Sequence, residues 1–270
     1  MHLIIERLNG RRYKLSKETG YIVLKFRPES IKVNRQRESM MGRPPIVTDK
    51  EIEGRPIHTE ILFTSYDFFD HVLKRNEFFQ ILDSREDFYV ISSEEPGKRW
   101  LVSAESFTPE PVSITLGRCE IVLYSESPYA ESIGTTMDPM TFDSNLWQIG
   151  QGLIAEDTKY IHNTTSFRIF NAGDELIDPK HIPLKIQYIG ASKNLSIRNV
   201  TTGDVWSYTG ESASGNVIEL NGVKSTKNGT SIFGATNWGL ITLKPGWNDF
   251  VLAGTSGSFE IKFDFRFYYL

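Results

Sequence analysis

A strict alternation of apolar and polar residues closes the chain. From Phe259 to Phe267, the positions of one parity are Phe or Ile and the positions between them are charged. An extended backbone therefore carries one aromatic face and one charged face, a pattern that no helix fits. Because burying one Phe side chain contributes roughly 1.5 to 3 kcal/mol, the aromatic face needs a second apolar layer from an earlier part of the chain.

The first half of the chain reads as short strands separated by turn residues. Apolar runs alternate with Asn9-Gly10, Gly20, Pro28 and Pro96-Gly97, which favour tight turns or end strands. The predicted strands cover residues 3–7, 12–15, 21–26, 57–63, 88–92, 99–103 and 113–124. The last of these is one kinked strand or two strands joined by a tight turn at Gly117.

One helix is predicted, at about residues 65–76. Ser65 can cap its first amides, and Asp67 suits the positive end of the helix dipole. The apolar stripe of this helix consists of Phe68, Phe69, Val72 and Leu73. His71 lies beside the stripe, where a lone histidine is much more often structural or exposed than catalytic.

The stretch from about 35 to 55 departs from the strand pattern. It keeps an extended beginning but is interrupted by a Met-Met-Gly-Arg-Pro-Pro run, so we expect a projecting hairpin or arm. Basic side chains outnumber acidic ones from Lys25 to Arg55, which serves either a partner contact or solubility. If the arm contacts other subunits, the candidate residues are Arg35, Arg37, Met40, Met41, Arg43 and Arg55. The alternative is a solvated loop.

The second half changes to closely spaced strands without helices. Turn residues such as Thr202-Gly203-Asp204, Asn221-Gly222 and Asn228-Gly229 separate the apolar runs. The predicted strands are 166–170, 184–188, 195–199, 205–208, 217–220, 231–233, 239–243, 249–252 and 259–267. Strands at this spacing predict an antiparallel β-sandwich.

The two patterns imply a mainly β protein of two domains. The first, residues 1–133, is a β-barrel or sandwich-like domain with the arm and the helix, and the second is the β-sandwich of residues 159–270. Residues 134–158 lack a long periodic run, so we expect them to connect the domains, with Trp147 packed against one of them.

Charge and cysteine content restrict the function classes. The net charge is −4, which argues against nucleic-acid binding over the whole surface. Cys119 is the one cysteine, so an internal disulfide is impossible and paired-cysteine zinc sites are absent. With charges close to the amino terminus and no run of 18 apolar residues, we expect synthesis in the cytoplasm without a signal peptide and no membrane span.

No motif of the sequence indicates catalysis, so we expect a protein that is not an enzyme and has no cofactor or metal. GxSxG and HExxH motifs and a Gly-rich phosphate loop are absent, and no spacing singles out a pair of carboxylates. The scattered histidines are His2, His58, His71, His162 and His181.

Aromatic residues of the predicted sandwich are candidates for stacking against sugars. Flat aromatic faces serve as platforms in β-sandwich binding modules. The candidates are Trp206, Tyr208, Trp238 and Trp247. The competing interpretation is that these side chains fill the core or its rim, because large aromatics in strands are usually buried.

The order of these segments resembles the distal tail proteins (Dit) of long non-contractile-tailed bacteriophages over nearly the full length. In the first half, the resemblance is carried by Asn9-Gly10, Gly54-Arg-Pro-Ile57, the helix after it, Pro96-Gly-Lys-Arg-Trp100 and Ser127-Pro-Tyr-Ala130. In the second half, it is carried by Phe167-Arg-Ile-Phe-Asn-Ala-Gly173, Leu243-Lys-Pro-Gly-Trp-Asn248 and the closing Tyr268-Tyr-Leu270.

The resemblance implies a structural hub in the virion tail tip. In such proteins the first domain, with its arm and helix, forms a six-membered ring, and a galectin-like or carbohydrate-module-like sandwich lies outside the ring. The implied partners are copies of the chain itself, the tail tube protein, the tail-tip (tail-associated) protein and baseplate or receptor-binding proteins. Neither a membrane nor a specific nucleic acid is among them.

Two other functions remain open at this point. The chain could be a carbohydrate-binding module for host cell-wall polysaccharide, alone or as part of the hub. The third candidate is a wall-degrading enzyme of the β-sandwich type.

Overall fold

Antiparallel strands make up most of both halves of the chain, which confirms the mainly β fold class. The structure is a computed structural model that describes residues 1–39, 41–42, 44–141, 146–147 and 158–270. The chain divides into two compact units. The first unit contains residues 1–131 and Leu270, and the second contains Ser132–Tyr269.

Among the described residues, the first unit contains ten strands, one α-helix and a short 3-10 helix at Lys17–Thr19, and an eleventh strand, β11, crosses its boundary. The elements are β1 Leu3–Arg7, β2 Arg12–Leu15, β3 Tyr21–Pro28, β4 Val33–Glu38, β5 Ile46–Ile52, β6 Arg55–Thr64, α1 Phe68–Ile81, β7 Phe88–Ser92, β8 Lys98–Ala104, β9 Glu110–Ser113, β10 Leu116–Ser125 and β11 Ala130–Ser132.

A bent sheet forms the body of this unit, in the order β2-β1-β7-β8-β10-β6-β3, with β9 on β10. β10 pairs with β6 along its whole length but joins β8 only at Leu123 and Tyr124. In the predicted stretch 113–124, the turn lies at residues 114–115, between β9 and β10, and not at Gly117, which lies inside β10 where the register with β9 shifts. Apolar side chains of alternating parity fill the space between the halves of the sheet, among them Ile5, Ile57, Phe63, Phe88, Trp100 and Leu123.

The helix begins later than predicted and turns a different face to the core. Its N-cap is Asp67, whose carboxylate accepts a hydrogen bond from the amide of Asp70 at 2.8 Å, so the predicted Ser65 cap is wrong. The buried residues of α1 are His71, Phe78 and Ile81. The predicted stripe is exposed instead, except for the half-buried Val72.

The second unit is built around two long, bent strands. Its strands after β11 are β12 Ile161–His162, β13 Ser166–Asn171, β14 Leu184–Asn199, β15 Val205–Ser207, β16 Glu211–Ser212, β17 Val217–Asn221, β18 Lys224–Lys227, β19 Thr230–Ser231, β20 Gly246–Phe265 and β21 Tyr268–Tyr269. The sheet order is β12-β20-β14-β17-β18-β19, with β13 on β20 and with β15 and β16 on β14.

β14 and β20 each contribute to both layers of a sandwich. The amino-terminal half of β14 pairs with β17 and with the end of β20, whereas its other half pairs with β15 and the beginning of β20. Gly254 has φ +80° at the bend of β20, and a Cβ there would lie 2.4 Å from the carbonyl oxygen of Asn194. The residue at this crossing of the two long strands must therefore be glycine.

The closing Phe strand finds its second layer inside this unit. Ile261, Phe263 and Phe265 are at most 2% exposed. The ring of Phe263 contacts that of Phe250, from the other half of β20, at 4.9 Å between centroids. Phe267 is also buried but lies beyond the end of β20.

Three details of the predicted strand pattern are wrong. Of the predicted strand at 231–233, only Ser231 lies in a strand, and Phe233 begins a short 3-10 helix. The predicted strands at 184–188 and 195–199 are one strand, because β14 continues through irregularities after Gly190 and Ser192. The predicted strand at 239–243 is a loop that forms only an isolated bridge between Leu243 and Ile177.

The described residues of the predicted connection, 134–158, pack within the second unit. Thr136 donates from its hydroxyl to the carbonyl of Phe263 at 2.6 Å. Trp147 is buried, and its ring lies 5.8 Å from that of Phe267. Of the predicted connection, residues 142–145 and 148–157 lie outside the described residues.

Candidate functional site

The arm is a separate two-stranded sheet. β4 and β5 pair only with each other among the described strands, from Val33 opposite Ile52 to Glu38 opposite Ile46. Every residue of β5 is exposed, and so is every residue of β4 after Val33. The turn residue Met41 is fully exposed.

The arm carries apolar side chains that no described part of the chain covers. Ile46 is 51% exposed, Val47 40% and Ile52 50%. These three residues were not among the arm candidates predicted from the sequence. They form the apolar part of the arm, in which Ile46 and Val47, as neighbours along β5, are directed to opposite faces of the hairpin.

The predicted arm residues divide into three groups. Arg35 and Arg37 lie exposed on β4, and Met41 is in the turn. Met40 and Arg43 lie outside the described residues.

Arg55, the last of those candidates, belongs to the body of the first unit. Its guanidinium donates to the carbonyl of Glu29 and, at 3.2 Å, to that of Pro128. It also lies 5.0 Å from the centre of the Trp100 ring. Partial burial lowers the pKa of Arg55 below its ordinary value. These contacts give Arg55 an internal structural role.

Polar contacts hold the two ends of the arm together. Lys32 and Glu53 form an ion pair at 2.7 Å, and the side-chain amide of Asn34 donates to Glu53. The hydrogen bond from Lys32 lowers the pKa of the Glu53 carboxyl. The hairpin therefore leaves the body from a closed, hydrogen-bonded base.

The start of α1 presents a second exposed apolar surface. Tyr66 is 93% exposed, Phe69 78% and Leu73 66%. The Phe68 ring lies edge-on to that of Phe69, with centroids 6.1 Å apart. This surface, Tyr66, Phe68, Phe69 and Leu73, is called the helix surface below.

The four aromatic candidates of the second unit have different environments. Trp206 is 1% exposed and donates from its indole nitrogen to the hydroxyl of Ser225 at 3.1 Å. Tyr208 is 6% exposed. Both side chains belong to the core, so neither offers a flat face to a sugar. The explanation is the inward parity of the strand at these positions.

Trp247 and Trp238 remain closer to solvent. Trp247 is half-buried, with the Arg168 guanidinium 4.7 Å above its ring and Phe170 4.9 Å away. Trp238 is 68% exposed and lies beside Phe233, a residue that the sequence did not single out.

His71 and Cys119 are both buried. His71 lies 5.0 Å from the Phe63 ring, and its Nε2 has no hydrogen-bond partner within the described part of the chain. Burial raises the pKa of the Cys119 thiol to about 12. Among the described residues, no three His, Cys, Asp or Glu side chains come together as metal ligands. None of the described helices has the length and hydropathy of a membrane span.

Comparison with known proteins adds two informative similarities. Residues 8–125 match the family of the phage tail protein RIFT-related domain. The crystal structure of the Dit protein of phage SPP1, described as a paradigm of the hub adsorption apparatus in phages that infect Gram-positive bacteria, has a TM-score of 0.69 and 13% identity, over 98% of this chain and 99% of that chain. The resemblance to phage distal tail proteins is therefore confirmed at the level of the fold.

Two further structures are more distant. A chain of the activated baseplate of phage p2 with Sr has a TM-score of 0.44 and 9% identity, over 98% of this chain and 97% of that chain. The corresponding structure with Ca has 10% identity and the same TM-score and coverage. None of the curated proteins matches the chain.

Proposed function

We propose that this chain, with its phage tail domain and the fold of a distal tail protein, is a structural hub of a phage tail tip. Copies of the first unit assemble into a ring that joins the tail tube to the tail-tip protein and to receptor-binding proteins. The proposed ring contains six subunits, the number that the resemblance to distal tail proteins implies. The role is structural and not catalytic, and the protein resides in the virion tail after synthesis in the host cytoplasm.

The arm is the observation that carries this proposal. A two-stranded hairpin without a third strand or a packed face is marginally stable in water. This hairpin nevertheless exposes Ile46, Val47 and Ile52 along one strand. A surface of this kind is stabilised when another molecule covers its apolar side chains.

A second copy of the chain is the covering molecule that fits best. Rings of identical subunits use heterologous contacts, in which one surface of a subunit meets a different surface of the next. The first unit offers two different exposed apolar surfaces, the arm and the helix surface. The arm of one subunit can bind the helix surface of the next subunit, so that each subunit uses both surfaces once.

The mass of the native assembly tests the proposal. We expect light scattering to find a species near six times 30.8 kDa, with a central opening in electron micrographs. The test variant combines Ile46→Lys with Val47→Glu. Each new charge lies opposite a complementary partner, because Ile46 pairs with Glu38 and Val47 with Arg37. The hairpin is therefore kept while two of its three exposed apolar strand side chains are lost.

A matched control separates this effect from added charge. Val223→Lys with Val251→Glu introduces the same two charges in the second unit, at positions of similar exposure, 51% and 44%. We expect the control to assemble and the arm variant to remain a folded monomer. A wild-type protein that stays monomeric at every concentration, or an arm variant that assembles normally, would contradict the proposal.

A further inference from the structure

Trp238 has a backbone conformation that bulky residues rarely adopt. Its φ is +57°, in the left-handed region that costs L-residues free energy and that Gly and Asn occupy most readily. The other two non-glycine residues with positive φ in the described part of the chain are Asn194 and Asn228. Strain at a large, exposed side chain points to a function that the surrounding structure maintains.

The preceding residue holds Trp238 in this conformation. The side-chain oxygen of Asn237 accepts hydrogen bonds from the amides of Ser207, at 2.9 Å, and Gly239, at 3.1 Å. Its side-chain nitrogen donates to the carbonyl of Val205 at 2.9 Å. A Cβ on Gly239 would lie 2.0 Å from that same carbonyl. The loop is thereby fixed against β15 from both sides of Trp238.

Two aromatic rings are presented together on this fixed loop. Trp238 is 68% exposed and Phe233 47%. Their rings are nearly parallel, with an angle of 20° between planes and 6.3 Å between centroids. The backbone amides of Trp238 and Phe233 donate to nearby hydroxyls, those of Thr236 and Ser231, which helps to hold the backbone at both ring positions. The two rings form a small apolar platform on a polar surface.

The segment that carries the platform has no ionisable side chain of its own. From Asn228 to Leu243 the chain contains no ionisable side chain, and its polar residues are Ser, Thr and Asn. Both lysines that flank this stretch are directed elsewhere. The nitrogen of Lys227 lies 5.8 Å from the centre of the Tyr208 ring, and Lys244 donates to the carbonyl of Thr201 at 3.4 Å. Nucleic acids and anionic polymers require cations for their phosphates or carboxylates. A neutral sugar instead offers flat C–H faces for stacking and hydroxyls for the polar rim.

We propose that Trp238 and Phe233 form a binding site for a neutral saccharide, in which the flat face of a pyranose ring stacks on the indole. Asn237 is the positioning residue that holds the indole toward solvent. This site does not depend on the proposed ring, because its residues all belong to the second unit, whereas the arm belongs to the first.

Titration of neutral glycans against the full-length protein tests the site. The probes are hexaoses of cellulose, xylan and galactan and a panel of neutral polysaccharides purified from Gram-positive cell walls. Binding is measured by calorimetry and tryptophan fluorescence. The decisive variant is Trp238→Gly, because Gly adopts the left-handed conformation without cost. We expect it to weaken binding about tenfold or more, with an unchanged or higher melting temperature.

Two further variants control the interpretation. Trp238→Phe keeps a flat ring and should retain part of the affinity, whereas Trp247→Phe changes the shielded indole and should leave binding unchanged. The proposal is overturned by silence across the whole panel, by equal affinity of the Trp238→Gly variant, or by a clear fall in its melting temperature, which would assign the indole to packing. The assembly mass of Trp238→Gly should equal that of the wild type, so failure here is distinguishable from failure of the ring.

Discussion

At the scale of single residues, buried asparagines organise the loops of the second unit. Asn248 is fully buried. Its side-chain oxygen accepts from the amide of Lys244 at 3.0 Å and from Asn199 at 3.2 Å. Its side-chain nitrogen donates to the carbonyls of Lys244 at 2.8 Å and Gly246 at 3.1 Å. The Leu243–Asn248 turn that supported the family resemblance is thus closed by its own last side chain.

Asn248→Leu should strongly destabilise the protein. The substitution keeps the volume but leaves several buried polar groups of the turn without partners, at about 1 to 3 kcal/mol each. We expect the free energy of unfolding to fall by about 2 to 4 kcal/mol, as measured by urea unfolding. Asn76→Leu, at an exposed position of α1, should change it by about 0.5 kcal/mol or less. Equal effects of the two substitutions would refute this role of Asn248.

Glu60 gives the first unit a pH-dependent contribution to stability. Its carboxylate is 6% exposed and forms ion pairs with Lys25 at 2.5 Å and Arg118 at 2.8 Å. The hydrogen bond from Lys25, aided by the charge of Arg118, holds the pKa of Glu60 below its ordinary value although burial acts in the opposite direction.

The direction of the pH effect follows from the lowered pKa. Stability from Glu60 is present above the carboxyl's unfolded value of 4.5 and is lost as the pH falls through the lower folded value. We expect Glu60→Gln to make the melting temperature less dependent on pH below about 4.5, compared with the wild type in matched buffers. A variant with the same loss on acidification would show that other carboxylates are responsible.

At the scale of elements, the face of α1 that the sequence predicted to be buried is exposed. Phe68, Phe69 and Leu73 have the periodicity of a core face, but they are exposed, and Phe78 and Ile81 from the following turns are buried. Periodicity identifies an apolar face and does not say whether that face meets the same chain or another molecule.

The start of the helix was also decided by a tertiary contact. Ser65 and Asp67 are both good capping residues. The hydroxyl of Ser65 donates to the carbonyl of Ile114 at 3.3 Å, so it is not available to the helix. Asp67 takes the capping role instead.

Asp67→Ala should therefore weaken the helix more than Ser65→Ala does. Loss of the cap removes about 1 kcal/mol from the free energy of unfolding and lowers the helical signal in circular dichroism. Ser65→Ala should leave that signal unchanged, because its hydroxyl bonds outside the helix. The reverse order of the two effects would restore Ser65 as the cap.

At the scale of the whole molecule, the proposed ring depends on exposed apolar side chains more than on charge. The arm arginines Arg35 and Arg37 were the candidates from the sequence, but Ile46, Val47 and Ile52 supply the uncovered apolar surface. At 1 M salt, interactions between exposed charges are largely screened beyond a separation of about 3 Å, whereas burial of apolar surface is not weakened.

Salt therefore separates the two kinds of assembly contact. We expect the proposed ring to keep its mass in light scattering when sodium chloride is raised from about 0.1 M to about 1 M. The double variant Arg35→Gln with Arg37→Gln, which removes both positive charges, should assemble like the wild type. Dissociation in high salt, together with loss of assembly in this variant, would instead assign the contact to the arginines.

The local pattern of the chain contained most of the secondary structure. The parity of Ile261, Phe263 and Phe265 predicts their common buried face, and the turn at Asn9-Gly10 lies between β1 and β2 as expected. The break in pattern after residue 35 likewise predicted a hairpin. These features are encoded by residues close together in the sequence, because strand parity and turn geometry depend on neighbours.

The candidate sites were harder to predict because exposure depends on residues far away in the chain. Trp206 and Trp238 were equivalent candidates, yet one fills the core and the other is exposed. The difference arises from Ser225, which accepts the indole of Trp206, and from the hydrogen bonds of Asn237 that hold Trp238 outward. The sequence by itself determined the periodicity, the turns and the mainly β architecture. The tertiary structure alone decided which apolar faces are buried and which remain uncovered, because burial is a property of long-range packing.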